Sequence, residues 1–177
     1  MKTYVKSIVI VIMAITFLGC ASTRVVADFD QAIDFKSYKT FTICQEDLSV
    51  QNLSYPGYDN ELNRNLLKEA TTNEMLSRGY VLNKESPQLQ AGFKLVIEDK
   101  EMVFKDCFDE EEIGYWQECR INVYNYTQQT LVMYVLDLEK NQIIWQALME
   151  GGLADSPKKM TRVINENVAR IFKEYPI

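Results

Sequence analysis

Carboxylates crowd one segment of the chain, and they are the first residues to consider for chemistry. Six of them fall between positions 106 and 118: Asp106, Asp109, Glu110, Glu111, Glu112 and Glu118. Carboxylate oxygens bind Ca²⁺, but the alternating ligands and central glycine of an EF-hand are missing here. Two facing carboxylates could also hydrolyse a glycosidic bond, yet no pattern places two of them on opposite walls of a cleft. We therefore interpret the segment as a solvated acidic loop, and predict no metal site, no cofactor and no catalytic residue.

Aromatic side chains accompany this acidic segment. Tyr115 and Trp116 lie within it, and Tyr124 and Tyr126 share the predicted outward face of the strand that follows. Aromatic rings can form a platform for carbohydrate, and Tyr and Trp are also enriched where proteins contact each other. These four residues are the predicted binding surface.

Composition excludes several classes of function. The chain has no histidine, so Ser-His-Asp and Cys-His catalysis and zinc sites of the HExxH kind are ruled out. The formal net charge is −6, and nucleic-acid binding depends on Lys and Arg that neutralise phosphates. We therefore predict that the chain does not bind nucleic acid.

The N-terminal segment has the features of a signal for export. Lys2 and Lys6 precede an apolar run over residues 8–18, which is shorter than the roughly 20 residues that span a bilayer. The step from Gly19 to Cys20 resembles a bacterial lipobox, which predicts a signal peptide over residues 1–19 and a lipid on Cys20. An uncleaved anchor and a plain signal peptide are the alternatives. Because no Asp follows Cys20, the resemblance to Gram-negative lipoproteins implies the periplasmic face of the outer membrane.

Three further cysteines would lie in the oxidising periplasm, where disulfides form. Cys107 and Cys119 are nearest in sequence, so we predict a disulfide between them, with a pairing that involves Cys44 as the rival. A CxxC redox motif is absent. Thiol catalysis is therefore not expected.

The remaining patterns predict elements that would position these residues. One helix is predicted to begin after Asp59, which would cap it, and to end at Gly79, with an apolar stripe of Leu62, Leu66, Ala70, Leu76 and Tyr80. A second is predicted to begin after Ser156 and Pro157, with one face formed by Met160, Ile164, Val168, Ile171 and Tyr175. Apolar and aromatic runs predict strands over residues 35–44, 89–98, 120–126, 131–138 and 143–149, with a turn at residues 139–141. Ile121 and Val123 are predicted to point inward, and Trp145 to lie in the core. We predict an extended tether over residues 20–34 and one α+β domain over residues 35–177, with a mainly antiparallel sheet and two amphipathic helices on one face.

Several stretches, in their order along the chain, carry a family resemblance. They are "DFDQAIDFKSYKTFTI", "NELNRNLLKEATTNEMLSRGY", "SPQLQAGFKLVIEDK", "LVMYVLDLEKNQIIWQALMEG" and "VINENVARIFKEYP". The more specific pieces are Ile144-Trp145 and the closing Tyr175-Pro176. Together the stretches resemble the lipoproteins of domain-of-unknown-function family 4136. That resemblance implies an envelope lipoprotein and supplies no mechanism.

The patterns favour a non-catalytic domain, tethered to the membrane through the lipid on Cys20, that binds another envelope component. A carbohydrate- or peptidoglycan-binding module that uses the four aromatic residues is the second hypothesis. A carboxylate-dependent hydrolase ranks last, because the chain shows no paired acids in a defined setting. Fold alone does not decide between these hypotheses.

Overall fold

The structure is a computed structural model that describes residues 24–108, 118–154 and 156–177. Within these ranges it describes every side chain except those at 106–108, 118 and 119. The predicted signal peptide and lipidation site, and the predicted contact residues Tyr115 and Trp116, lie outside the described residues. Among the described helices, none has the length and apolar character needed to cross a membrane.

Six strands form one sheet with the spatial order β1-β6-β5-β4-β2-β3. Their bounds are β1 Val25–Phe29, β2 Thr40–Ile43, β3 Val81–Leu82, β4 Leu89–Phe108, β5 Glu118–Asp137 and β6 Gln142–Glu150. Strands β1, β6, β5 and β4 pair antiparallel, whereas β2 pairs parallel with both β3 and β4. The architecture is α+β, but the sheet is mixed rather than purely antiparallel. The cause is the long connection after β2, since parallel neighbours require a crossover.

The segment that was predicted to be a tether contributes to the sheet. Residues 25–29 form β1, which pairs along its whole length with β6, from Val25 opposite Met149 to Phe29 opposite Trp145. The turn between β5 and β6 was predicted at residues 139–141. Asn141 adopts a φ of 52° there, a left-handed conformation that Asn tolerates.

Helix α1, Glu61–Ser77, differs in detail from its prediction. Its N-cap is Asn60, whose side chain accepts a hydrogen bond from the Asn63 N–H at 2.9 Å. The predicted cap, Asp59, is instead buried in an ion pair. The helix does end before Gly79, which adopts a φ of 88°, the conformation that favours glycine at this position.

The apolar stripe predicted for α1 is correct only in part, because Ala70 and Tyr80 are buried and Leu66 is half-buried, but the other two residues are not. Leu62 is 68% exposed, and Leu76 is exposed as well. The buried residues are Asn63, Arg64, Leu67, Ala70, Thr71 and Met75. Three of these six are polar, so a search for apolar spacing selects the neighbouring row of leucines.

Helix α2, Pro157–Ile171, follows its prediction. Pro157 occupies the first turn, and the predicted residues Met160, Ile164, Val168 and Ile171 are buried. The two helices contact each other, and their buried residues share one core with the odd-numbered residues of β4 and β5. Trp145, predicted in the core, is fully buried there. The helices therefore cover one face of the sheet, and the opposite face, which we call the open face, carries the even-numbered residues of β4 and β5.

Candidate functional site: a two-stranded arm and the cleft at its base

Strands β4 and β5 extend well beyond the rest of the sheet. They pair without a break from Leu89 opposite Asp137 to Phe108 opposite Glu118. Strand β6 pairs with β5 only from Thr130 onward, and β2 pairs with β4 only up to Ala91. Residues 99–108 and 118–127, which we call the arm, therefore form a two-stranded ribbon. At about 3.4 Å per residue the arm is roughly 30 Å long.

Apolar side chains are exposed on both faces of the arm. Ile121 and Val123 were predicted to point into the core, but they are 65% and 53% exposed. This prediction was wrong because β5 at that point extends beyond β6 and pairs only with β4, so no core covers these side chains. The predicted alternation of side chains between the two faces is correct. Val103 lies directly opposite Val123 and is exposed too. Isolated hairpins are at best marginally stable in water, and exposed apolar clusters mark contact surfaces.

The open face of the arm carries the aromatic residues. Tyr124 and Tyr126 are both exposed there, and Met102 lies opposite Tyr124. Phe104 meets the Tyr124 ring edge to face, with centroids 5.6 Å apart and an interplanar angle of 81°. Two of the four predicted binding residues are thus brought together with two that sequence reasoning missed.

A cleft of about 500 Å³ lies at the base of the arm. It is formed where β6 ends and β5 continues beyond it, paired only with β4. Its lining comprises residues 126–129, Glu150, Gly151 and Leu153. The Gly151 N–H donates to the Gln129 carbonyl at 2.7 Å, and Gly151 adopts a φ of 67°. The cleft thus opens beside the free edge of β5, with Tyr126 on its rim.

The two edges of the arm differ in charge. Residues 121–129 of β5 contain no Asp, Glu, Lys or Arg, whereas the β4 side, residues 99–108, contains five charged residues. The bond from Gly151 to Gln129 shows that odd-numbered residues of β5 direct their backbone groups away from β4. Beyond the end of β6 no described strand pairs with these groups, although the Thr127 carbonyl accepts a hydrogen bond from Gln129 Nε2 at 3.3 Å. Charged residues are a common protection of such edges, and residues 121–129 of β5 lack them, the next charged residue being Arg120.

A loop over residues 44–59, which we call the edge loop, covers the β4 edge below the arm. The Cys44 N–H donates to the Ala91 carbonyl at 2.9 Å. The Phe93 N–H donates to Asp47 Oδ2 at 3.0 Å, and Asn52 Nδ2 donates to the Leu95 carbonyl at 3.0 Å. The edge loop therefore bonds the backbone of β4 at Ala91, Phe93 and Leu95, below the arm.

Asp47 fixes the edge loop to the open face. It is fully buried and accepts hydrogen bonds from Lys94 Nζ at 2.5 Å and from the Tyr134 hydroxyl at 2.6 Å. Burial, together with the hydrogen bonds to Asp47 and Cys44, raises the pKa of Tyr134 far above its usual range. A Cβ on Gly92 would lie 2.3 Å from Tyr134 Cζ, so this close approach requires glycine. Every oxygen of the Asp47 carboxylate has a donor, which indicates a structural fastening rather than a reactive group.

Arg64 and Asp59 form a buried ion pair beneath the edge loop. Arg64 Nε donates to Asp59 Oδ1 at 2.5 Å, Nη2 donates to Oδ2 at 2.7 Å, and Nη1 donates to the Asp47 carbonyl at 2.5 Å. Burial raises the pKa of Asp59, but the donors from Arg64, Asn52 and Gln51 outweigh that effect and lower it to about 2. Sequence reasoning missed this pair, although the five-residue spacing places Arg64 in the first turn after Asp59.

The backbone register bears on the predicted disulfide, whose side chains lie outside the described residues. Cys107 is directly opposite Cys119. The Leu138 N–H donates to the Gln88 carbonyl at 3.0 Å, so pairs that contain even-numbered residues are the hydrogen-bonded ones. Cys107 and Cys119 form a non-hydrogen-bonded pair, whose Cα atoms are about 4.5 Å apart, within the range that a disulfide spans.

The rival pairing with Cys44 does not fit this backbone. Cys44 is buried, and its N–H bonds to Ala91, sixteen residues from Cys107 along the extended β4 strand. That separation amounts to roughly 50 Å.

Comparisons with solved structures agree with the fold. A PDZ domain protein from Parabacteroides distasonis ATCC 8503 superposes with a TM-score of 0.57 at 12% identity, over 87% of this chain and 35% of that protein. The chain thus spans about a third of that protein's length. A DUF4136 family protein from Bacteroides thetaiotaomicron VPI-5482 superposes with a TM-score of 0.53 at 17% identity, over 89% of this chain and 97% of that one.

No curated protein matches the chain significantly. At these identities the structural likeness shows the fold alone. A family model, however, matches residues 25–177, which include all the strands and helices that the structure describes. The chain belongs to the DUF4136 family, a domain of unknown function.

Proposed function

We propose that the chain is a lipid-anchored periplasmic protein of the outer membrane whose domain binds another envelope protein without catalysis. The lipobox-like step at Gly19 and Cys20 supports the anchor. The observation that carries the binding role is the edge of β5 over residues 121–127, beside the cleft, which is uncharged and is paired with no described strand. An extended segment of a partner can add there as a further strand, with main-chain hydrogen bonds that supply affinity.

The cleft extends this binding surface. An added strand would continue the line of β6 beyond Glu150, so its end would reach the residues that line the cleft. Residues 121, 123 and 125 of β5 would donate to it and accept from it, whereas the Thr127 carbonyl already accepts from Gln129 Nε2. The charged β4 edge of the arm and the covered β4 edge below it offer no comparable place. The predicted partner surface is therefore the β5 side of the arm.

A disulfide between Cys107 and Cys119 would stabilise this arm near its end. Its formation joins the two sulfur atoms and transfers two electrons and two protons to a disulfide-donating protein of the periplasm. Closing the short loop between these cysteines would contribute about 3 kcal/mol in the loop-entropy account. The bond would hold the two strands in register when no partner is bound.

The test is cross-linking of the lipidated protein in its own envelope, followed by mass spectrometry of the captured molecules. We expect one protein to be captured, and Val123→Glu to abolish capture because it places a charge on the β5 edge. Val103→Glu is the matched control, since Val103 lies directly opposite on the β4 strand. Equal loss in both variants, or no specific capture by the parent protein, would contradict the proposal.

A glycan-binding role is the second candidate, because Tyr126 stands on the rim of a cleft that also offers glutamine and threonine side chains. Such a site predicts retention on peptidoglycan or its fragments. Tyr126→Ala would then reduce retention at least tenfold. Unchanged retention in this variant would remove the candidate.

A further inference from the structure

The chain enters the sheet at the same end from which the arm projects. Strand β1 runs antiparallel to β6, and β6 runs antiparallel to β5. Val25, the first residue of β1, lies level with Met149 and, one strand further, with Leu131. The arm continues from this level, and its end at Glu118 is thirteen residues beyond Leu131. That distance is roughly 44 Å.

The lipid on Cys20, which is part of the proposed function, sets how far the membrane can be from this end. Five residue steps separate Cys20 from Val25, and a fully extended chain of that length covers at most about 17 Å. The opposite end of the sheet, at Asp137, is six residues from Leu131, or about 20 Å before the turn is included. The tether is therefore too short to place the membrane at that end.

The end of the arm lies roughly 44 Å beyond the level of Val25, whereas the tether covers at most about 17 Å, a difference of more than 25 Å. With the membrane on this side of the sheet, the arm must therefore lie along the bilayer surface or enter it. The side chains show which face would meet lipid. On the sheet body, Val26, Leu148 and Val96 are exposed on the open face. The same face continues along the arm through Met102, Phe104, Tyr124 and Tyr126. The helices cover the other face of the sheet body, so the open face is the one whose exposed apolar side chains continue from β1 to the arm, interspersed with charged residues such as Glu98 and Lys100.

We propose that the open face of the arm docks on the lipid surface to which Cys20 is anchored. Tyrosine suits this position, because its ring reaches the apolar boundary while its hydroxyl stays among the headgroups. The arm carries four acidic residues and three basic ones, Lys100, Lys105 and Arg120, and has no net positive charge, so apolar burial rather than attraction to anionic lipid drives the contact. The edge of β5 remains available for a partner strand, since it is perpendicular to the docked face.

The test uses the full lipidated chain, reconstituted in phosphatidylethanolamine–phosphatidylglycerol vesicles. Tyr124→Cys carries a nitroxide label, and its collision rates with dissolved oxygen and with a polar nickel complex report depth in the bilayer. Ile143→Cys is the matched control, because Ile143 is 48% exposed, compared with 58% for Tyr124, and lies at the opposite end of the sheet. The unsubstituted chain shows the labelling background of the native cysteines. Met102→Cys, on the same face, replaces Tyr124→Cys if circular dichroism shows that the latter is unfolded.

We expect the label at position 124 to collide at least fivefold more with oxygen, relative to the nickel complex, than the label at position 143. This ratio should be unchanged in vesicles without phosphatidylglycerol. Equal, water-like values at both positions would overturn the docking. Mass spectrometry of the N-terminal peptide separates the two proposals. An acylated Cys20 with a water-exposed arm refutes docking alone, whereas a Cys20 without lipid refutes the anchor and the docking that depends on it.

Discussion

Replacement of Arg64 by methionine should be among the most destabilising single changes in the described part of the chain. Methionine retains much of the side-chain volume but removes the donors to both Asp59 oxygens and to the Asp47 carbonyl. Asp59 Oδ1 is then left buried without its donor. Loss of one partner from a buried pair costs about 3–5 kcal/mol. We expect a decrease of this size in the free energy of unfolding at pH 7.

The pH dependence of the Arg64→Met variant provides a second, independent signature. In the parent protein the pKa of Asp59 is lowered from 3.8 to about 2, which contributes roughly 2 kcal/mol of stability at neutral pH. Because the folded-state pKa is depressed, this contribution is present above pH 3.8 and is lost as the pH falls through about 2. In the variant, burial acts on Asp59 without the Arg64 donors, so its pKa rises. The variant's deficit should therefore be smaller at pH 3 than at pH 7.

Urea unfolding followed by circular dichroism at both pH values measures these differences. Arg162→Met is the matched control, because Arg162 forms an exposed ion pair with Glu166 and should cost less than about 1 kcal/mol. The double variant Asp59→Asn with Arg64→Met should recover part of the loss. A cost for Arg64→Met no larger than that of the Arg162 control, with no pH dependence, would refute the reasoning.

Three further results are expected. Gly92→Ala should cost about 1–3 kcal/mol in unfolding free energy, because its Cβ would lie 2.3 Å from Tyr134. Thermal unfolding measures this cost. Gly57→Ala is the control, because a Cβ at that position meets nothing within 4 Å. Alkylation of the unreduced, denatured protein should leave Cys107 and Cys119 unmodified, and a mass that shows both alkylated would exclude their disulfide. Backbone amides in the arm should exchange with deuterium faster than those of the same two strands inside the sheet, and uniform protection would indicate an arm as stable as the core.

The sequence predicted correctly those elements whose buried residues are all apolar and recur at the spacing of a helix or a strand. Helix α2 has apolar residues wherever its buried face requires them, so its stripe was predicted correctly. Helix α1 buries Asn63, Arg64 and Thr71. Asn63 and Arg64 are compensated by partners in the edge loop, and the Thr71 hydroxyl donates to the Leu67 carbonyl of its own helix. Local spacing does not reveal such compensation. It is also why Asp59 was assigned to a cap.

The arm could be predicted only in part for a different reason. The alternation over residues 120–126 correctly separated Ile121 and Val123 from Tyr124 and Tyr126. Alternation does not report where neighbouring strands end, however, and that decides whether a face is covered. Because β6 ends at Glu150, residues that would be core in a longer sheet are exposed. The informative sequence signal was the absence of charge over residues 121–129, which is unusual for an exposed strand edge.

The difference in protection between the β4 edge and the β5 edge supports a binding role for the arm more strongly than the exposure of its apolar side chains alone. The edge loop, held by Asp47 and Arg64, bonds the β4 backbone at Ala91, Phe93 and Leu95, and charged residues protect β4 beyond that point. In the described chain, residues 121–127 of β5 have neither a pairing strand on this edge nor a charge, and the first charged residue beyond them is Arg120. If the arm were simply a solvated hairpin, both of its edges would need protection against association with other chains. The protection of only one edge indicates that the other is kept available for contact.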